Sequence, residues 1–522
     1  MAGTGRASAT GAIGSAPSTA AASSGTWLVA ILALSTAVRL ALAYAIPPLG
    51  DEAYHHDMAR RLLAGHFDHP PLTFWLAALG GLGTPVLGFM AVRLPFVALF
   101  TASTWLVFLI TRRLFGPTEG LWAIHLFHLA FYFPLVAGTF ALTEGPLVFT
   151  WLLGSWCLVA VFFRDRDDRP TARWIAVGAA LGLALLAKYH AVFLLSGAGL
   201  YLLTVARERR WLRHPGPWLA ALMGLAAFLP VLVWNYQHEW ISFAYQLGRG
   251  THVKPFQPEA AFLNLMGQSL LVTPWLWVLL VRELVRGLLA GPARPAGWFL
   301  SIMGVTPIVL FTAASTWNGQ WSMFHWPIVG YVLLFPPLGA SVVAWRTRGG
   351  SRARSVLAAA GFVSVAGACI LIAVGLRPGV LAAPVYMPGG RSAVSNHDVF
   401  GFGGLRQALR AKGAACPGNG FIVSGHYMDA GRIAWLLDDD CLVTCLGDPD
   451  DVKNYRFIEG GVGWPGANAL GISRDRYVQD DLGWWRPLFD RVTPLGTITV
   501  GTPPYRTTLH LHLLEQMRSP KP

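Results

Sequence analysis

Long apolar runs recur along the chain, separated by short polar segments. A helix needs about 20 apolar residues to cross a bilayer. Runs near that length occupy residues 27–46, 91–110, 119–138, 143–163, 216–234, 259–281, 297–315, 324–344 and 355–376. The stretch 172–206 is too long for one span, and Lys188-Tyr189-His190 interrupts it, which predicts two short helices there. The pattern therefore predicts a polytopic α-helical membrane protein with about eleven transmembrane helices.

The composition agrees with this class. Of the 522 residues, 54% are hydrophobic and 13% are charged, whereas soluble domains carry about 25% charged residues. The formal net charge is +13, but the Lys and Arg residues fall in short groups between apolar runs. That distribution argues against a nucleic-acid partner and is typical of loops that flank membrane spans.

The arginine groups predict an orientation. They fall on alternate loops, at Arg112-Arg113, Arg164 to Arg173, Arg207 to Arg213, Arg282 to Arg294 and Arg346 to Arg354. The positive-inside rule places these loops and the N-terminus in the cytoplasm. An odd number of spans then places residues 377–522 on the outer face, together with the loop 50–90.

The two ends of the chain differ from its apolar middle. Residues 1–25 are rich in Ala, Gly, Ser and Thr and predict a disordered tail, and residues 26–376 form the expected membrane domain. Residues 377–522 predict a small extracytoplasmic α/β domain. The sequence predicts a strand at Phe421–Val423, a helix at Met428–Leu437 and a strand at Cys441–Leu446. A closing hairpin is predicted around Pro503-Pro504.

Three cysteines, Cys416, Cys441 and Cys445, belong to this outer domain. An oxidising compartment permits a disulfide there. Cys416 pairs with either of the other two, and the spacing leaves the choice open.

A cluster of acids and histidines follows the first apolar run. It comprises Gly50-Asp51-Glu52-Ala53-Tyr54-His55-His56 and Phe67-Asp68-His69-Pro70-Pro71-Leu72. The flanking residues 53–64, with Met58, Leu62 and Leu63 on one face, and 72–79 predict short helices that lie along the membrane surface. Asp51 is then expected at the mouth of a cavity beneath this loop, although a carboxylate at a membrane boundary also serves simply to end a helix.

Glu144 is a second acid on the same face. It lies in Leu142-Thr143-Glu144-Gly145-Pro146, just before a span. A helix N-terminus favours a carboxylate electrostatically, which is one explanation of its presence. The other is that Glu144 faces the same cavity as Asp51.

Two outer cations are candidates for binding a phosphate group. Lys188 interrupts an apolar run, and ionisable residues at membrane depth are costly and usually functional. Arg249 belongs to the loop 235–256 and can form paired hydrogen bonds with phosphate. The alternative for both is contact with ordinary lipid headgroups. The Trp-rich stretch from Trp317 to Trp326 predicts either an aromatic belt at the membrane surface or stacking on a sugar ring.

Motifs for nucleotide or zinc chemistry are missing from the sequence. It contains no phosphate-binding P-loop, no paired-cysteine metal motif and no HExxH motif. The group of His55, His56, His66 and His69 with Asp68 leaves a divalent metal ion open, although the spacing is not specific for one.

These motifs together resemble the GT-C glycosyltransferases, in particular the protein-mannosyltransferase-like and aminoarabinose-transferase-like branch. The matching segments are Asp51-Glu52, Phe67 to Leu72, Val92-Arg93-Leu94-Pro95, Glu144-Gly145-Pro146, Lys188-Tyr189 and Trp234-Asn235, with Asn454-Tyr455 in the tail. The resemblance implies a GT-C-like membrane domain in a bacterial-type inner (plasma) membrane. It also implies a polyprenyl-phosphate-linked sugar donor and a glycan, lipid or protein acceptor.

The resemblance also suggests residue roles. Asp51 is the expected base or acceptor-orienting carboxylate, with Glu52 and Glu144 as further catalytic acids. Lys188, Arg249 and His69 are expected to bind the donor phosphate, and His69 stands where some relatives use Lys. The expected substrate-binding residues are Tyr54, His55, Asp68 and Trp317.

The predicted function is transfer of a sugar from this lipid-linked donor to the acceptor on the outer face, by single displacement with inversion. A multi-spanning transporter or flippase of lipid-linked sugars is the alternative. It predicts an internal repeat and mid-membrane charges, whereas no repeat is evident and the acids cluster at one interface. A non-catalytic scaffold that binds sugar-lipids is a third hypothesis.

Overall fold

Helices form the first three quarters of the chain. The computed structural model describes residues 19–163, 169–251, 255–318, 323–376, 401–418, 420–437, 440–457, 464–501 and 505–518. The helices of the membrane domain are α1 Thr19–Ala45, α2 Gly50–Ala59, α3 Leu72–Gly81, α4 Thr84–Leu87, α5 Met90–Leu114, α6 Pro117–Leu129, α7 Glu144–Phe162, α8 Pro170–Ala187, α9 Val192–Thr204, α10 Pro215–Gln237, α11 Ile241–Thr251, α12 Pro258–Val272, α13 Pro274–Ala290, α14 Pro295–Asn318, α15 Phe335–Arg348 and α16 Gly350–Leu376. The first helix thus begins inside the predicted tail, of which residues 1–18 lie outside the described part.

Seven helical segments of the described chain are long and apolar enough to cross a membrane. They are Gly25–Ala45, Met90–Leu114, Glu144–Phe162, Pro170–Ala187, Pro215–Gln237, Pro295–Trp317 and Trp326–Arg348. Two bent pairs, Tyr189–Thr204 with Ala206–Arg213 and Pro258–Val272 with Pro274–Ala293, raise the number to nine. The predicted class of polytopic helical membrane protein is therefore confirmed, and the described residues contain up to nine candidates for the eleven predicted spans.

Two apolar runs account for the smaller number. The run 119–138 forms a helix of 13 residues, α6, which is followed by a π-helical turn at Phe133–Ala137 that contains Pro134. Proline cannot donate a helical hydrogen bond, so the run does not continue as one span. The run 355–376 falls within α16, whose later side chains lie outside the described part, and only its segment Arg354–Gly367 is identified as an apolar helix.

The first loop contains the two short helices that the sequence predicts, with shifted ends. Helix α2 starts at Gly50, earlier than expected, and stops at Ala59. Leu62 has a left-handed backbone, with φ of 45°, and is exposed. The prediction that Leu62 shares a helical face with Met58 is therefore wrong, whereas α3 over Leu72–Gly81 agrees with the prediction.

The C-terminal domain is a five-stranded mixed sheet with helices. The strands are β1 Phe421–Ser424, β2 Val443–Cys445, β3 Ala469–Arg474, β4 Phe489–Val500 and β5 Thr507–Met517 in the order β2-β1-β3-β5-β4, and the helices are α17 Leu405–Ala411, α18 Tyr427–Leu437, α19 Pro449–Val452 and α20 Val478–Leu488. Strands β1, β2 and β3 are parallel, and β5 is antiparallel to both of its neighbours. The predicted strand–helix–strand unit is confirmed. The predicted hairpin strands pair from Val500 opposite Thr507 onward, while Pro503-Pro504 lie outside the described residues.

A disulfide joins Cys416 to Cys441 in this domain. The structure thereby decides between the two pairings that the sequence left open. Cys445 is a free, buried cysteine on β2.

The C-terminal domain shares a hydrophobic core with the first loop. Tyr54 and Phe74 of the loop belong to the same buried cluster as Ile422 and Ile433 of the domain. Helix α18 lies very close to α2, because a Cβ atom on Gly431 would come within 2.6 Å of the Tyr54 backbone nitrogen. The loops that follow β1 and β2 therefore face the acid cluster, as expected for the carboxyl ends of parallel strands, where α/β proteins place their ligand sites.

Candidate active site between the first loop and the C-terminal domain

Asp51 lies in the first turn of α2 and is only partly buried. Its Oδ1 atom accepts a 2.8 Å hydrogen bond from the hydroxyl of Tyr427, which follows β1. Burial, together with the nearby Asp51 carboxylate, raises the pKa of Tyr427 well above its ordinary value, so the phenol stays protonated and donates. The C-terminal domain thus orients the predicted base and leaves it accessible.

Glu52 is the next residue but is completely buried. Its Oε1 atom accepts hydrogen bonds from Arg93 Nε and from the backbone N–H of Ala141, both at 2.8 Å. Its Oε2 atom accepts from Arg93 Nη2 at 2.5 Å and from the backbone N–H of Leu49 at 3.0 Å. The bond from Leu49 caps α2, and the bonds from Arg93 and Ala141 join α2 to other segments, so the geometry of Glu52 fits a structural role and not the predicted catalytic one.

Glu144 and Lys188 form an ion pair at the same end of the bundle. Helix α8 ends at Ala187, and Lys188 is extended, with φ of −161° and ψ of 145°. Its Nζ atom lies 2.8 Å from Glu144 Oε1, and the two side chains are 7% and 14% exposed. The break predicted at Lys188 is present, and it directs the lysine towards the predicted second acid.

Arg249 extends from α11 towards aromatic and sulfur groups. Its guanidinium lies 5.2 Å from the ring centre of Trp326 and 5.4 Å from that of Tyr245. Its Nη2 atom also lies 3.4 Å from the sulfur of Met323. A guanidinium can form charge-assisted hydrogen bonds with an anion, which is the role predicted for Arg249.

His325 marks the place where these groups converge. Burial lowers its pKa to about 4. The charges that act on it come from Glu144, Lys188, Arg249 and Asp51. Acids and cations far apart in the sequence therefore lie within electrostatic range of one histidine, which no sequence pattern singled out.

Asp68 and Tyr54 belong to a second group beside Asp51. The Tyr54 hydroxyl donates a 3.1 Å hydrogen bond to Asp68 Oδ1, and both residues are buried. Lys453, in the loop after β2, places Nζ 3.5 Å from Asp68 Oδ2. The same Nζ lies 3.6 Å from the ring centre of Tyr427. The predicted substrate residues thus contact a lysine that the sequence analysis missed.

His55 and His56 point to different neighbours. His55 Nδ1 forms a 2.8 Å hydrogen bond with the carbonyl oxygen of Ala141, beside the backbone group that binds Glu52. His56 packs edge-on against Trp435 of the C-terminal domain, with ring centres 5.4 Å apart. Both histidines therefore contribute to packing around α2, including His55, which was predicted to bind substrate.

His66 and His69 are buried within the loop. His66 stacks on Phe74 with ring centres 3.6 Å apart. Burial lowers the pKa of His69 well below its ordinary value, and the charge of Lys188 lowers it further. His69 is therefore neutral near pH 7 and does not provide the predicted positive charge. Among the residues that the structure describes, no group of three or more His, Cys, Asp or Glu is placed to hold a metal ion.

Trp317 is 48% exposed and packs against Phe256, with ring centres 5.8 Å apart. It lies near the end of α14, just before residues 319–322, which are outside the described part. Trp326, from the same Trp-rich stretch, is the tryptophan that contacts Arg249. Stacking of Trp317 on a sugar stays a prediction.

The site residues missed by sequence analysis come mainly from the C-terminal domain. Tyr427 and Lys453 follow β1 and β2, and His325 precedes the span Trp326–Arg348. The sequence analysis had pointed to this part of the domain only through the segment Asn454-Tyr455, which directly follows Lys453. Asn454 Oδ1 accepts a 2.9 Å hydrogen bond from the backbone N–H of Phe67, which joins the domain to the first loop.

Comparison with known proteins supports the sequence resemblance. Residues 68–234 match a family model described as dolichyl-phosphate-mannose-protein mannosyltransferase. The crystal structure of ArnT from Cupriavidus metallidurans bound to undecaprenyl phosphate aligns with a TM-score of 0.62 at 16% identity, covering 93% of this chain and 98% of that one. ArnT from the same organism in the apo state aligns with a TM-score of 0.59 at 16% identity, covering 94% and 98%.

The resemblance to the GT-C superfamily is confirmed. The segment that matches the family model contains Asp68, Glu144 and Lys188 of the GT-C domain, whereas Asp51 and Arg249 lie outside it. The likeness to ArnT, at 16% identity, establishes the GT-C fold over almost the whole chain. A search of curated proteins gave no match.

Proposed function

We propose that this chain is a membrane glycosyltransferase that moves a sugar from a polyprenyl-phosphate donor to an acceptor nucleophile. The observation that supports it most is that the accessible carboxylate of Asp51 and two cations, Lys188 and Arg249, all act electrostatically on the same residue, His325. A carboxylate beside phosphate-binding cations matches the two demands of the reaction, activation of an acceptor and stabilisation of a leaving phosphate.

In the proposed mechanism Asp51 accepts the proton of the acceptor hydroxyl or amine. The acceptor atom forms a bond to the anomeric carbon while the bond from that carbon to the phosphate oxygen breaks. The electron pair leaves with the polyprenyl phosphate, whose negative charge Lys188 and Arg249 offset. One displacement at the anomeric carbon inverts its configuration. The sugar arrives already activated on its lipid, so no nucleotide is consumed.

Asp51→Asn tests the role of the base. We expect transfer from a lipid-linked sugar to fall by about 10²- to 10⁴-fold, the usual contribution of a general base, with unchanged donor binding. Asp57→Asn is the matched control, because Asp57 also lies on α2 and accepts a 2.7 Å hydrogen bond from a tyrosine of the C-terminal domain, Tyr455. An Asp51→Asn variant with normal transfer would refute the role of the base, whereas donor binding without transfer by the wild-type chain would favour the sugar-lipid scaffold.

We also propose that the C-terminal domain and α2 lie on the outer face of a bacterial-type plasma membrane. The arginine groups on the opposite loops support this orientation. To test the orientation, single cysteines are introduced at Arg209 or at Asp475 in a Cys369→Ser background. Intact cells are then treated with a maleimide that does not cross the membrane. Labelling at position 475 alone is expected, and labelling at position 209 alone would reverse the orientation.

The acceptor is proposed only as a class: an envelope lipid, a polysaccharide or a protein. Mass spectrometry of envelope glycolipids and glycans from cells that lack this chain identifies it by the sugar that disappears. A vesicle assay for movement of the intact lipid-linked sugar tests the transporter alternative. Transbilayer movement by Asp51→Asn at the wild-type rate, without any transfer by the wild-type chain, would favour that alternative.

A further inference from the structure

The predicted set of phosphate-binding cations lacks one positive charge. His69 occupies the position at which the resemblance places a residue against the donor phosphate. Burial and the charges around His69 hold its pKa well below its ordinary value. A neutral imidazole stabilises a leaving phosphate less than a full positive charge does. Another cation near His69 would restore the missing charge.

Lys453 lies in that neighbourhood. Its charge is one of those that lower the pKa of His69, as is the charge of Lys188. Its Nζ atom lies 3.5 Å from Asp68 Oδ2, and Asp68 directly precedes His69 in the chain. Lys453 therefore approaches the space around His69 from the C-terminal domain, while Lys188 approaches it from the membrane bundle.

The present contacts of Lys453 are loose. The 3.5 Å separation from Asp68 is longer than an ordinary hydrogen bond to a carboxylate. The Nζ atom otherwise lies over the ring of Tyr427, at 3.6 Å from its centre. A cation over an aromatic face is a favourable but exchangeable arrangement. The ammonium can move from these partners to a phosphate oxygen by a change of its own side-chain torsions.

The backbone at Lys453 is held in a rare conformation. Its φ is 49°, in the left-handed region that side chains other than glycine seldom adopt. Such a conformation persists when the surroundings fix it, and it is often found at functional sites. Here the next two residues fix it: Asn454 accepts from the backbone N–H of Phe67 at 2.9 Å, and the Tyr455 hydroxyl donates to Asp57 at 2.7 Å.

Lys453 is also linked to the base. The tyrosine whose ring it covers donates its hydroxyl proton to Asp51 at 2.8 Å. One aromatic ring thus separates the ammonium from the carboxylate proposed to activate the acceptor. In a displacement at the anomeric carbon the acceptor atom and the leaving phosphate lie on opposite sides of that carbon, so a base and a phosphate-binding cation must be near each other without forming an ion pair.

We propose that Lys453 of the C-terminal domain binds the phosphate of the lipid-linked donor in the GT-C site. The inference rests on the proposed glycosyltransferase function. It assigns to the C-terminal domain a direct part in binding the donor, through a phosphate monoester or diester. On binding, the ammonium leaves Asp68 for a phosphate oxygen, and Asp68 keeps its hydrogen bond from Tyr54.

The test measures binding of undecaprenyl phosphate to the full-length chain in nanodiscs. Lys453→Met, which keeps the length of the side chain and removes its charge, is expected to weaken binding at least tenfold. Lys412→Met is the matched control, because Lys412 is an exposed lysine of the same domain. Unchanged binding by Lys453→Met would overturn the proposal.

A second variant separates a role in binding from a role in folding. His69→Lys in the Lys453→Met background returns a cation to the same space and is expected to restore most of the affinity. Weak binding that His69→Lys does not restore, with a lowered melting temperature, would show that Lys453 only supports the structure. Normal phosphate binding with a raised KM for the acceptor would assign Lys453 to the acceptor instead.

The outcome does not depend on detecting transfer. Binding of undecaprenyl phosphate is measured without an acceptor, so a failure of the glycosyltransferase hypothesis leaves this measurement intact. Asp51→Asn is expected to bind like the wild type and not to transfer, whereas Lys453→Met is expected to fail at binding. Loss of binding in both variants would contradict the separate roles given to the two residues.

Discussion

Two carboxylate–cation pairs, Glu52 with Arg93 and Glu144 with Lys188, lie at the same end of the membrane domain. They differ in the number of hydrogen bonds that each carboxylate accepts. Glu52 accepts hydrogen bonds from Arg93, Leu49 and Ala141 through both of its oxygens. Glu144 accepts one from Lys188 at 2.8 Å and one from the Thr143 hydroxyl at 3.2 Å.

The two cations also differ in the number of hydrogen bonds that they donate. Arg93 also donates to the carbonyl oxygens of Ala43, Ile46 and Pro47, so it joins the end of α1 to α2. Lys188 Nζ donates to Glu144 and, within the described residues, makes no other hydrogen bond. An ammonium has three donors, so Lys188 retains capacity for a ligand while Arg93 does not. The comparison supports a structural role for the first pair and the proposed phosphate-binding role for Lys188 in the second.

Breaking the first pair should have the largest effect. Arg93→Met leaves Glu52 buried without its cation and is expected to cost about 3–5 kcal/mol of stability. Thermal unfolding of the purified protein measures the loss, and Arg112→Met, at the exposed end of the same helix, is the control. Equal melting temperatures for these two variants would contradict a structural role for the pair.

Removing both members of each pair sharpens the contrast. Glu144→Gln with Lys188→Met leaves no unpaired charge, so the chain is expected to fold while transfer falls by about 10²-fold or more. The double variant Glu52→Gln, Arg93→Met also removes both charges, but it leaves three backbone carbonyls without their hydrogen-bond donor. We therefore expect this variant to melt at a lower temperature than the Glu144→Gln, Lys188→Met variant. Similar melting temperatures for the two double variants would remove the distinction.

Glu144→Gln alone separates two roles of that carboxylate. If Glu144 only positions Lys188, transfer is expected to fall by about 10- to 100-fold, the cost of a misplaced group, together with weaker binding of the donor. Steady-state rates with varied donor concentration provide the measurement. A loss as large as that of Asp51→Asn would instead make Glu144 a catalytic acid or base.

The smallest effect should come from a buried histidine, His66, through the pH dependence of stability. Burial lowers the pKa of His66 to about 3, below its ordinary value of about 6.5. The stability that this neutral imidazole allows is complete above pH 6.5 and is lost as the pH falls from there towards 3, by at most about 1.4 kcal/mol per pH unit.

Melting temperatures between pH 7.5 and 5.5 measure this loss. His66→Phe keeps the stacking on Phe74 and removes the titrating group, so its melting temperature should fall less over the same range. An identical pH dependence in the variant and the wild type would show that other groups control acid stability.

The sequence predicted what depends on local pattern. The apolar runs gave the helical membrane class, and the cation inside an apolar stretch gave the break at Lys188. The run 119–138 was predicted as one span because apolar length alone does not show that Pro134 interrupts it. Asp51 and Glu52 are adjacent in sequence, but successive residues of a helix point about 100° apart. Only the position of Arg93 reveals which of the two acids is buried.

Contacts between distant segments could not be predicted in this way. Lys188 was identified, but its pairing with Glu144 joins residues 44 apart in the chain. His69 was expected to carry charge, and only the burial of its ring shows that it does not. Lys453 had no sequence signal of its own, because its role depends on how the loop after β2 docks on α2.

The contact between Tyr427 and Asp51 joins residues 376 apart in the chain. During synthesis α2 therefore emerges long before the segment that completes its surroundings. A ribosome at 5–20 residues per second needs roughly 20–75 seconds to cover that interval. Throughout this time the nascent chain holds its spans in the membrane without an oriented base. The enzyme proposed here thus acquires activity as one of the last events of its biogenesis, and a prematurely terminated chain would reach the membrane inert.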